Sequence, residues 1–473
     1  MKHVIRYAFV LMLSLMLGSN AWAQWSSDPS VNLALANKSD GADQVQPKVK
    51  PLPDHGWYVS WFDADPNSPP PVGYSVFLQR LGPAGYQIFK HGGIEVAHLS
   101  NSSTEDYGLD IDTEGNALLA FLDTREGSNQ QVTAAKMSPE GKALWGPRGV
   151  QLTTGTANSN GSPKIAGTSD GGVVVAWISN SNTMLQKLDA NGKPQWGNGV
   201  VLSKSNYNYW LADLHAADNG SVIVSWVSNQ GFGSNNLLLT NKLSDTGALL
   251  WGANHVTLFD TGSLQFGNFP YFVPDGQGGA VFTWYTSSPT LQCFAQHILA
   301  DGSAAFAKNG ALASTDTSQV RVDPAASYRA ATNEVFLVWT EEDSNQVLNG
   351  IYAQKFGPKG GRLWGQTGLV IVPLGADQEI LPTNVQIGSG ALAFWIDMVG
   401  YGNASIQATR LMGNGQVKCA QFPVSTPESN KGRPVADIVR ATGLSAIAFE
   451  DDRLGSNGIY IQNVNGDCSL GPK

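Results

Sequence analysis

The sequence predicts an all-β fold in which one pattern of strands and turns recurs eight times. Each repeat centres on a short apolar run that usually ends in Trp or Phe, and these aromatic ends lie 49 to 60 residues apart. The 53 Gly residues and the 14% of charged residues are typical of many turns joining buried strands. No segment has the length and periodicity of a helix. The eight apolar runs are 56–61, 116–121, 171–177, 220–226, 278–284, 333–339, 390–395 and 443–449.

The beginning of the chain is predicted to be a secretory signal peptide. Residues 1–23 contain two basic residues, an apolar stretch over 8–17 and a small-x-small cleavage motif at 21–23. We therefore expect an exported protein, periplasmic or secreted, whose mature part is one domain over 24–473. No Cys lies beside the cleavage site, and no later stretch has the roughly 18 apolar residues of a membrane span. Neither a lipid anchor nor a membrane span is expected.

Charge and cysteine content limit the expected partners and cross-links. The formal net charge is −9, and removal of the two basic residues of the signal peptide gives 27 minus 38, or −11. This sign argues against nucleic-acid binding through a phosphate-neutralising surface. Three Cys allow at most one internal disulfide. Cys419 and Cys468 occupy similar places in consecutive repeats. Whether they are bonded stays open, because equivalent positions in neighbouring repeats can be too far apart.

Repeat three shows the predicted strands most clearly. Its four β-runs, 163–167, 173–177, 184–188 and 196–202, are separated by turns that contain Gly, Asn and Asp. Each repeat therefore reads as a four-stranded antiparallel meander. The second run is apolar at nearly every position, as expected for a blade packed between two others in a β-propeller. A β-sandwich would instead show one polar face.

The two ends of the chain are predicted to share one blade. Repeat eight has three strands but no convincing fourth before Lys473, whereas residues 25–33 resemble fourth strands such as 145–152. A strand around 31–35 should therefore join the one that contains Ile459 and pair two otherwise open edges. The sequence thus predicts a β-propeller of eight four-stranded blades closed by the N-terminal strand. Seven blades are the alternative, if one weak repeat is an insertion.

The repeats resemble a group of bacterial exported repeat proteins. Residues 351–355 (Ile-Tyr-Ala-Gln-Lys), 188–192 (Leu-Asp-Ala-Asn-Gly) followed by Trp196, and 121–125 (Phe-Leu-Asp-Thr-Arg) carry the likeness. It is to units that read Gly-Gly-x-x-Val-x-Trp-x-Asp-x-Arg and then Tyr-Ala-Gln-x-Leu-Asp-x-x-Gly. The resemblance extends over nearly the whole mature chain, implies a β-propeller and names no common activity. Some hairpin turns also loosely resemble the Asp-box of sialidases.

Two recurring sets of residues are interpreted as structural. Asp189, Asp245 and Asp301 lie in Gly-containing turns, where an Asp side chain can bond to the backbone of an Asx-type turn. A series of Trp residues is better explained by packing between blades than by ligand stacking. These are Trp145, Trp196, Trp251 and Trp364.

An acidic series follows the second strand of several repeats and should lie around the channel mouth. Two such carboxylates could serve a glycosidase if their environments separated their pKa values. The preferred interpretation is a repeated salt bridge, because Asp-x-Arg recurs in repeats two and eight. The scattered His residues show no metal-ligand spacing, so neither a metal nor another cofactor is expected. The series comprises Asp63, Asp123 with Arg125, Glu341, Glu342, Asp397, Asp451, and Asp452 with Arg453.

The least repetitive loops carry the candidate binding site. Aromatic residues precede the fourth and fifth repeats and follow their second strands. They are expected to gather on one sector of one face, where they could stack on sugar rings or hold an apolar peptide. The eight residues are Tyr207, Tyr209, Trp210, Phe232, Phe266, Phe269, Tyr271 and Tyr285.

The leading hypothesis is an exported, non-enzymatic propeller that binds a protein or glycan through loops on one face. One alternative is a hydrolase that acts on a glycan through the acidic series. The other is a structural spacer in an envelope assembly. The sequence leaves open the ligand, the oligomeric state, and the choice between periplasm and medium.

Overall fold

The structure is a computed structural model that describes residues 24–38, 41–64, 73–99, 106–125, 130–155 and 158–473. The predicted signal peptide, 1–23, lies outside the described residues. Within these ranges the regular elements are strands, which form eight antiparallel sheets. No helix in the described part of the chain has the length and apolar character needed to cross a membrane.

Each sheet is one blade, and in blades 1 to 7 the strands run in chain order from the channel outwards. Blade 1 contains β2 (Gln44–Pro51), β3 (Trp57–Ala64), β4 (Tyr74–Leu81) and β5 (Ile94–Ala97). Blade 2 contains β6 (Gly108–Ile111), β7 (Ala117–Asp123), β8 (Gln131–Met137) and β9 (Val150–Gln151). Blade 3 contains β10 (Asn160–Gly167), β11 (Val173–Ser179), β12 (Asn182–Leu188) and β13 (Val200–Leu202). Blade 4 contains β14 (Asn208–Ala216), β15 (Val222–Asn229), β16 (Leu237–Leu243) and β17 (Val256–Phe259). Blade 5 contains β18 (Ser263–Leu264), β19 (Phe272–Pro274), β20 (Ala280–Ser288), β21 (Cys293–Ile298) and β22 (Ala311–Leu312). Blade 6 contains β23 (Val320–Arg329), β24 (Glu334–Glu342), β25 (Asn349–Phe356) and β26 (Leu369–Gly375). Blade 7 contains β27 (Gln378–Ile387), β28 (Gly390–Gly400), β29 (Asn403–Leu411) and β30 (Val417–Ser425). Blade 8 contains β31 (Lys431–Val439), β32 (Leu444–Asp451), β33 (Gly458–Val464) and, as its outer strand, β1 (Leu33–Ala36).

The blades form a closed ring. The first strand of each blade contacts the first strand of the next, and β31 of blade 8 contacts β2 of blade 1. In blade 5 the first strand is split, since β18 and β19 both pair with β20. This arrangement confirms the predicted eight-bladed β-propeller. Its core consists of apolar layers between neighbouring blades, and the second strands are buried on both faces, as the sequence predicted.

The N-terminal strand closes the ring as predicted. β1 pairs antiparallel with β33, with Leu33 opposite Ile461 and Ala36 opposite Ile459. Trp25 is buried and donates its indole N–H to the carbonyl of Pro83 in blade 1, at 2.8 Å. The segment therefore completes blade 8 and also contacts the blade beyond it.

A recurring aromatic contact joins each blade to the next. The aromatic residue that precedes the fourth strand packs against a left-handed Gly in the turn between strands three and four of the following blade. A Cβ on Gly302, for example, would lie 2.7 Å from Trp251. The indole N–H of Trp251 also donates to Ala300 in that turn, at 2.9 Å. The pairs are Trp25–Gly85, Phe89–Gly141, Trp145–Gly192, Trp196–Gly247, Trp251–Gly302, Phe306–Gly360 and Trp364–Gly415. The predicted packing role of the Trp series is thus confirmed.

The junction between blades 7 and 8 replaces this contact with a disulfide. Cys419 and Cys468 are bonded, with their Cα atoms 6.5 Å apart. Cys419 occupies the aromatic position of blade 7, because it lies two residues after Val417, which pairs with Leu411. Cys468 occupies the Gly position of the turn in blade 8 and has a φ of 73°. The two positions are complementary instead of equivalent, which is why the bond can form.

The turns with Asp residues are less uniform than the sequence suggested. The Asp189 carboxylate accepts hydrogen bonds from the backbone N–H groups of Asn191 and Lys193, each at 2.9 Å. Asp301 makes a similar contact with Ser303. In the third turn the corresponding acceptor is the Ser244 hydroxyl, and Asp245 contributes its carbonyl to the contact with Trp196. The three Asp residues therefore occupy different positions of the turn.

Candidate functional site

One end of the channel is marked by a repeated backbone irregularity. The first strand of five blades carries a bulge in which a non-Gly residue has a left-handed backbone and precedes a Pro. Such residues cost roughly 1–3 kcal/mol each and concentrate at functional sites, and a residue before Pro normally takes an extended conformation. In the sequence this signal is a recurring x-Pro dipeptide. The residues are Gln46 (φ 56°), Ser162 (45°), Asp323 (51°), Leu381 (50°) and Arg433 (44°).

A cavity of about 390 Å³ opens at this bulged end. It is lined by bulge residues Ser162 and Asp323 and by four of the predicted aromatic residues. Trp210 lies beside them, because its ring meets that of Phe269 edge to face with centroids 6.4 Å apart. Phe266 and Tyr271 are 74% and 60% exposed, so their rings are available to a ligand. The four lining aromatics are Phe266, Phe269, Tyr271 and Tyr285.

The other predicted aromatic residues lie elsewhere. Tyr209 is only 5% exposed and packs against Trp226 in the layer between blades 3 and 4. Tyr207 packs on the same layer, and the Lys204 ammonium lies 4.0 Å from its ring centroid. Phe232 is fully exposed in the loop between β15 and β16 and does not line the cavity. The eight residues therefore do not form one patch, because alternation along β14 turns Tyr209 into the core.

A cluster of charged groups lies beneath the aromatic cavity. Asp106, just before β6, accepts hydrogen bonds from the ammonium groups of Lys48, at 2.7 Å, and Lys164. It also accepts one from the hydroxyl of Tyr271, at 2.9 Å. These residues come from blades 1, 2, 3 and 5, so the Tyr271 side chain reaches across the mouth. We call Lys48, Asp106, Lys164 and Tyr271 the channel plug.

The contacts within the plug shift the pKa values of Asp106 and Lys164. Burial alone would raise the pKa of Asp106, but the adjacent Lys164 and Lys48 ammonium groups hold it far below the usual value. Burial opposes the charge of Lys164, yet Asp106 keeps the pKa of that ammonium above its usual value. The Lys164 ammonium also lies 4.7 Å from the centroid of the Tyr271 ring, within cation–π distance. Asp106 and Lys164 thus form a charged pair at neutral pH.

The cavity wall also offers a carboxyl group that is not in an ion pair. Asp323 makes no salt bridge with any residue that the structure describes. Burial and the neighbouring Glu342 raise the pKa of Asp323. Burial and Asp323 also raise the pKa of Tyr285 to about 12. The exposed aromatic rings therefore lie beside the Asp323 carboxyl group, which is in no ion pair with a described residue, and beside the hydroxyl group of Tyr285.

Most of the predicted acidic series is neutralised by cations. Asp123 forms a two-pronged salt bridge with Arg125, and Arg453 contacts Asp451 at 2.5 Å, so the predicted Asp-x-Arg salt bridges are confirmed. Burial alone would raise the pKa of each of these two carboxyls, but their contacts with the bonded Arg residues and other neighbours together have the larger effect. Both pKa values therefore lie below the usual value. Such carboxylates are poor proton donors. The remaining ion pairs are Asp63 with Lys38 and Glu341 with Arg321.

Blade 7 differs from blades 6 and 8 in the cross-strand pair between the start of its first strand and the end of its second strand. Glu379 lies opposite Asp397, where blade 6 has Arg321 opposite Glu341 and blade 8 has Lys431 opposite Asp451. Burial and Asp397 raise the pKa of Glu379 to about 8, and burial and Asp377 raise that of Asp397. One oxygen of each carboxyl group lacks a hydrogen-bond partner among the described residues. This acid pair has the raised pKa expected of a proton donor.

The described residues contain no group of three or more His, Cys, Asp or Glu side chains placed to hold a metal ion. The third cysteine, Cys293, is buried in blade 5, and burial raises the pKa of its thiol well above the usual value. A thiol in this environment is a weak nucleophile. Neither observation identifies a catalytic centre.

The fold and its channel define the class of protein, an eight-bladed β-propeller. No protein-family model matches the sequence, and no curated protein matches it significantly. Among solved structures, the Dos1 propeller is 10% identical, with 92% of this chain and 95% of that chain covered and a TM-score of 0.49. An α-L-arabinanase of Penicillium chrysogenum, complexed with arabinobiose, is 11% identical, with coverages of 93% and 99% and a TM-score of 0.43.

A puromycin hydrolase is 12% identical, with 91% of this chain covered and a TM-score of 0.45. The chain spans only 61% of the length of that hydrolase and 55% of a prolyl oligopeptidase B from Galerina marginata. At these identities and TM-scores the similarities carry no information about activity or ligand.

Proposed function

We propose that this protein is an exported, non-enzymatic propeller that binds a glycan at the bulged mouth of its channel. The observation that carries the proposal is the grouping of Phe266, Phe269, Tyr271 and Tyr285 around one cavity with the unpaired carboxyl of Asp323. The rings would stack on the apolar faces of sugar rings, and adjacent polar groups would bond to the hydroxyls. Export is supported by the pattern of 1–23 and by the disulfide, which suits an oxidising compartment.

The composition of the cavity favours a glycan over an apolar peptide. Its wall alternates exposed rings with Ser162, Asn268 and Asp323, which would be poorly matched by a purely apolar side chain. Tyr271 and Asp106, which are bonded to each other, both line the cavity. A ligand would lie across the mouth or insert one residue into it.

Replacement of the aromatic residues tests this proposal. The mature chain would be screened against a panel of oligosaccharides and polysaccharides, and affinity for the best ligand would be measured by calorimetry. Each aromatic contact contributes about 0.5–1.5 kcal/mol beyond its buried area, so Phe266→Ala and Phe269→Ala should each weaken binding several-fold or more. Phe232→Ala is the matched control, because Phe232 is an exposed Phe outside the cavity. The proposal is wrong if no glycan binds, if only peptides bind, or if the control weakens binding equally.

The acid pair of blade 7 favours a second candidate, a glycan hydrolase. Glu379 would donate the proton, since its pKa is raised to about 8, and Asp397 would be its acidic partner. A reducing-end assay on the same glycan panel tests this candidate. Hydrolysis that is lost in both Glu379→Gln and Asp397→Asn, with binding retained, would establish the hydrolase and contradict a purely binding role.

A further inference from the structure

The channel contains a second large cavity at the end opposite the bulged mouth. Its volume is about 710 Å³, within the range of roughly 300–1,000 Å³ that is usual for small-molecule sites. The space exists because inner strands of blades 6 to 8 place small side chains there, including Ala326 and Ala436. The two cavities share no lining residue, and plug residues line the aromatic cavity but not this one, so the two ends of the channel present different surfaces. We call it the far cavity.

Two buried polar side chains of the far cavity lack partners. Ser327 is 6% exposed and Asn384 is 7% exposed, and both line the cavity. The Ser327 hydroxyl and the Asn384 side-chain oxygen have no hydrogen-bond partner among the described residues. The Asn384 amide N–H donates to the carbonyl of Ala325 at 2.7 Å, so the orientation of this side chain is set by blade 6. Buried polar atoms without partners are uncommon and require an explanation.

The far cavity presents charged groups of both signs. Lys50 and Arg440 supply positive charge, and Asp110, Asp275 and Asp437 supply carboxyl groups. Asp275 is bonded to His297 at 2.9 Å. Lys50 lies 3.3 Å from Asp110. Burial raises the pKa of Asp437, although Lys50 opposes this effect. A ligand with a net charge would meet groups of both signs, whereas a neutral polar ligand could bond to each of them.

The wall chemistry identifies a ligand class. The Asn384 oxygen needs a donor, the Ser327 hydroxyl can donate or accept, and Lys50 donates. The rings of Phe272 and Tyr328 complete the wall. We propose that the far cavity binds a small, neutral, polyhydroxylated molecule of monosaccharide to disaccharide size. Sugar hydroxyls both donate and accept hydrogen bonds, so such a molecule satisfies the mixed wall.

Binding of free sugars to the mature chain tests the far cavity. The probes are glucose, galactose, mannose, N-acetylglucosamine and maltose, with glutamate and lysine as charged comparators, and binding is followed by ligand-observed NMR and calorimetry. Ser327→Ala should weaken sugar binding by about 3- to 10-fold, as expected for one neutral hydrogen bond. It should not lower stability, because it removes a hydroxyl that has no protein partner. Asn384→Ser should weaken binding at least as much.

Variants at the bulged mouth distinguish this site from the proposed glycan site. Phe269→Ala should leave binding of the small sugars unchanged, because Phe269 lines the aromatic cavity and not the far cavity. The far-cavity proposal is overturned if no neutral sugar binds, or if glutamate or lysine binds instead. It is equally overturned if Ser327→Ala and Asn384→Ser leave the affinity intact, or if Phe269→Ala abolishes it. Polysaccharide binding at the mouth can fail or succeed independently of these results.

Discussion

At the scale of single residues, Asp451 illustrates a carboxylate whose role is structural. It lies 3.3 Å from Lys431 and 2.5 Å from Arg453, and the Lys431 side chain is completely buried. Removal of one partner from a buried ion pair typically costs about 3–5 kcal/mol, since a buried charge is left uncompensated. We expect Asp451→Asn to lower the free energy of unfolding by about this amount, measured by chemical denaturation. Asp301→Asn, in an exposed turn, should leave it nearly unchanged. Equal stabilities of the two variants would contradict this role.

Glu379 gives the protein a predicted pH dependence. Its folded-state pKa of about 8 is above the ordinary value of 4.5, so the folded state holds the proton more tightly than the unfolded state does. The corresponding stability is present below pH 4.5 and is lost as pH rises towards 8. Glu379→Gln, which cannot ionise, should therefore reduce the fall in melting temperature over this range.

The control for this pH dependence is Glu428→Gln, because Glu428 is exposed. This variant should keep the pH profile of the unaltered protein. If Glu379→Gln and Glu428→Gln show the same profile, Glu379 does not have the assigned pKa.

At the scale of the structural element, the turns between strands three and four are the points where blades are joined. Gly302 and Gly146 both have left-handed backbones, with φ of 85° and 82°. A Cβ on Gly302 would lie 2.7 Å from Trp251, whereas a Cβ on Gly146 would meet nothing within 4 Å. Gly146→Ala should cost about 1–2 kcal/mol from backbone strain alone, and Gly302→Ala should cost about 1–3 kcal/mol more from the clash. Similar losses in thermal denaturation would show that the inter-blade contact contributes little.

The elements were more predictable than the site. Apolar second strands and Gly-containing turns depend on local sequence, so the repeats and the four-stranded blades could be recognised. The plug could not, because Asp106 and Tyr271 are 165 residues apart and meet only through the curvature of the ring. The burial of Tyr209 depends on the register of β14, which the aromatic composition of the loop does not reveal. The x-Pro bulges were visible in the sequence, but their left-handed geometry follows from pairing within each blade.

At the scale of the whole molecule, the ring is closed by noncovalent pairing and stabilised by one covalent link. The disulfide joins blades 7 and 8 through two residues that are 49 positions apart in the sequence. Loss of a native disulfide commonly costs about 2–5 kcal/mol. Reduction should therefore lower the midpoint of chemical denaturation of the unaltered protein. The double variant Cys419→Ser, Cys468→Ser should start at the lower value and not respond to reductant. A shift on reduction in the double variant would show that another group is responsible.

Closure by the N-terminal segment has a separate consequence for cooperativity. Deletion of 24–36 removes β1 and Trp25, which exposes the edge of β33 and the turn of blade 1 that Trp25 covers. We expect a large loss of stability and a broader, less cooperative unfolding transition, measured by calorimetry. Trp25→Ala alone should have a smaller effect, because β1 can still pair. A deletion variant as stable and as cooperative as the chain 24–473 would contradict the closure.

The covalent junction also restricts how the number of blades could change by gene duplication. A copy of blade 2 carries both Gly141 and Trp145, so tandem copies would fit each other through the same aromatic contact. A copy of blade 7 would instead place Cys419 against Gly415 and leave a thiol without its partner. Insertion between blades 7 and 8 would likewise separate Cys419 from Cys468. A change in the number of repeats among blades 1 to 6 would therefore keep the aromatic contacts between blades, whereas a change at blades 7 and 8 would break the disulfide.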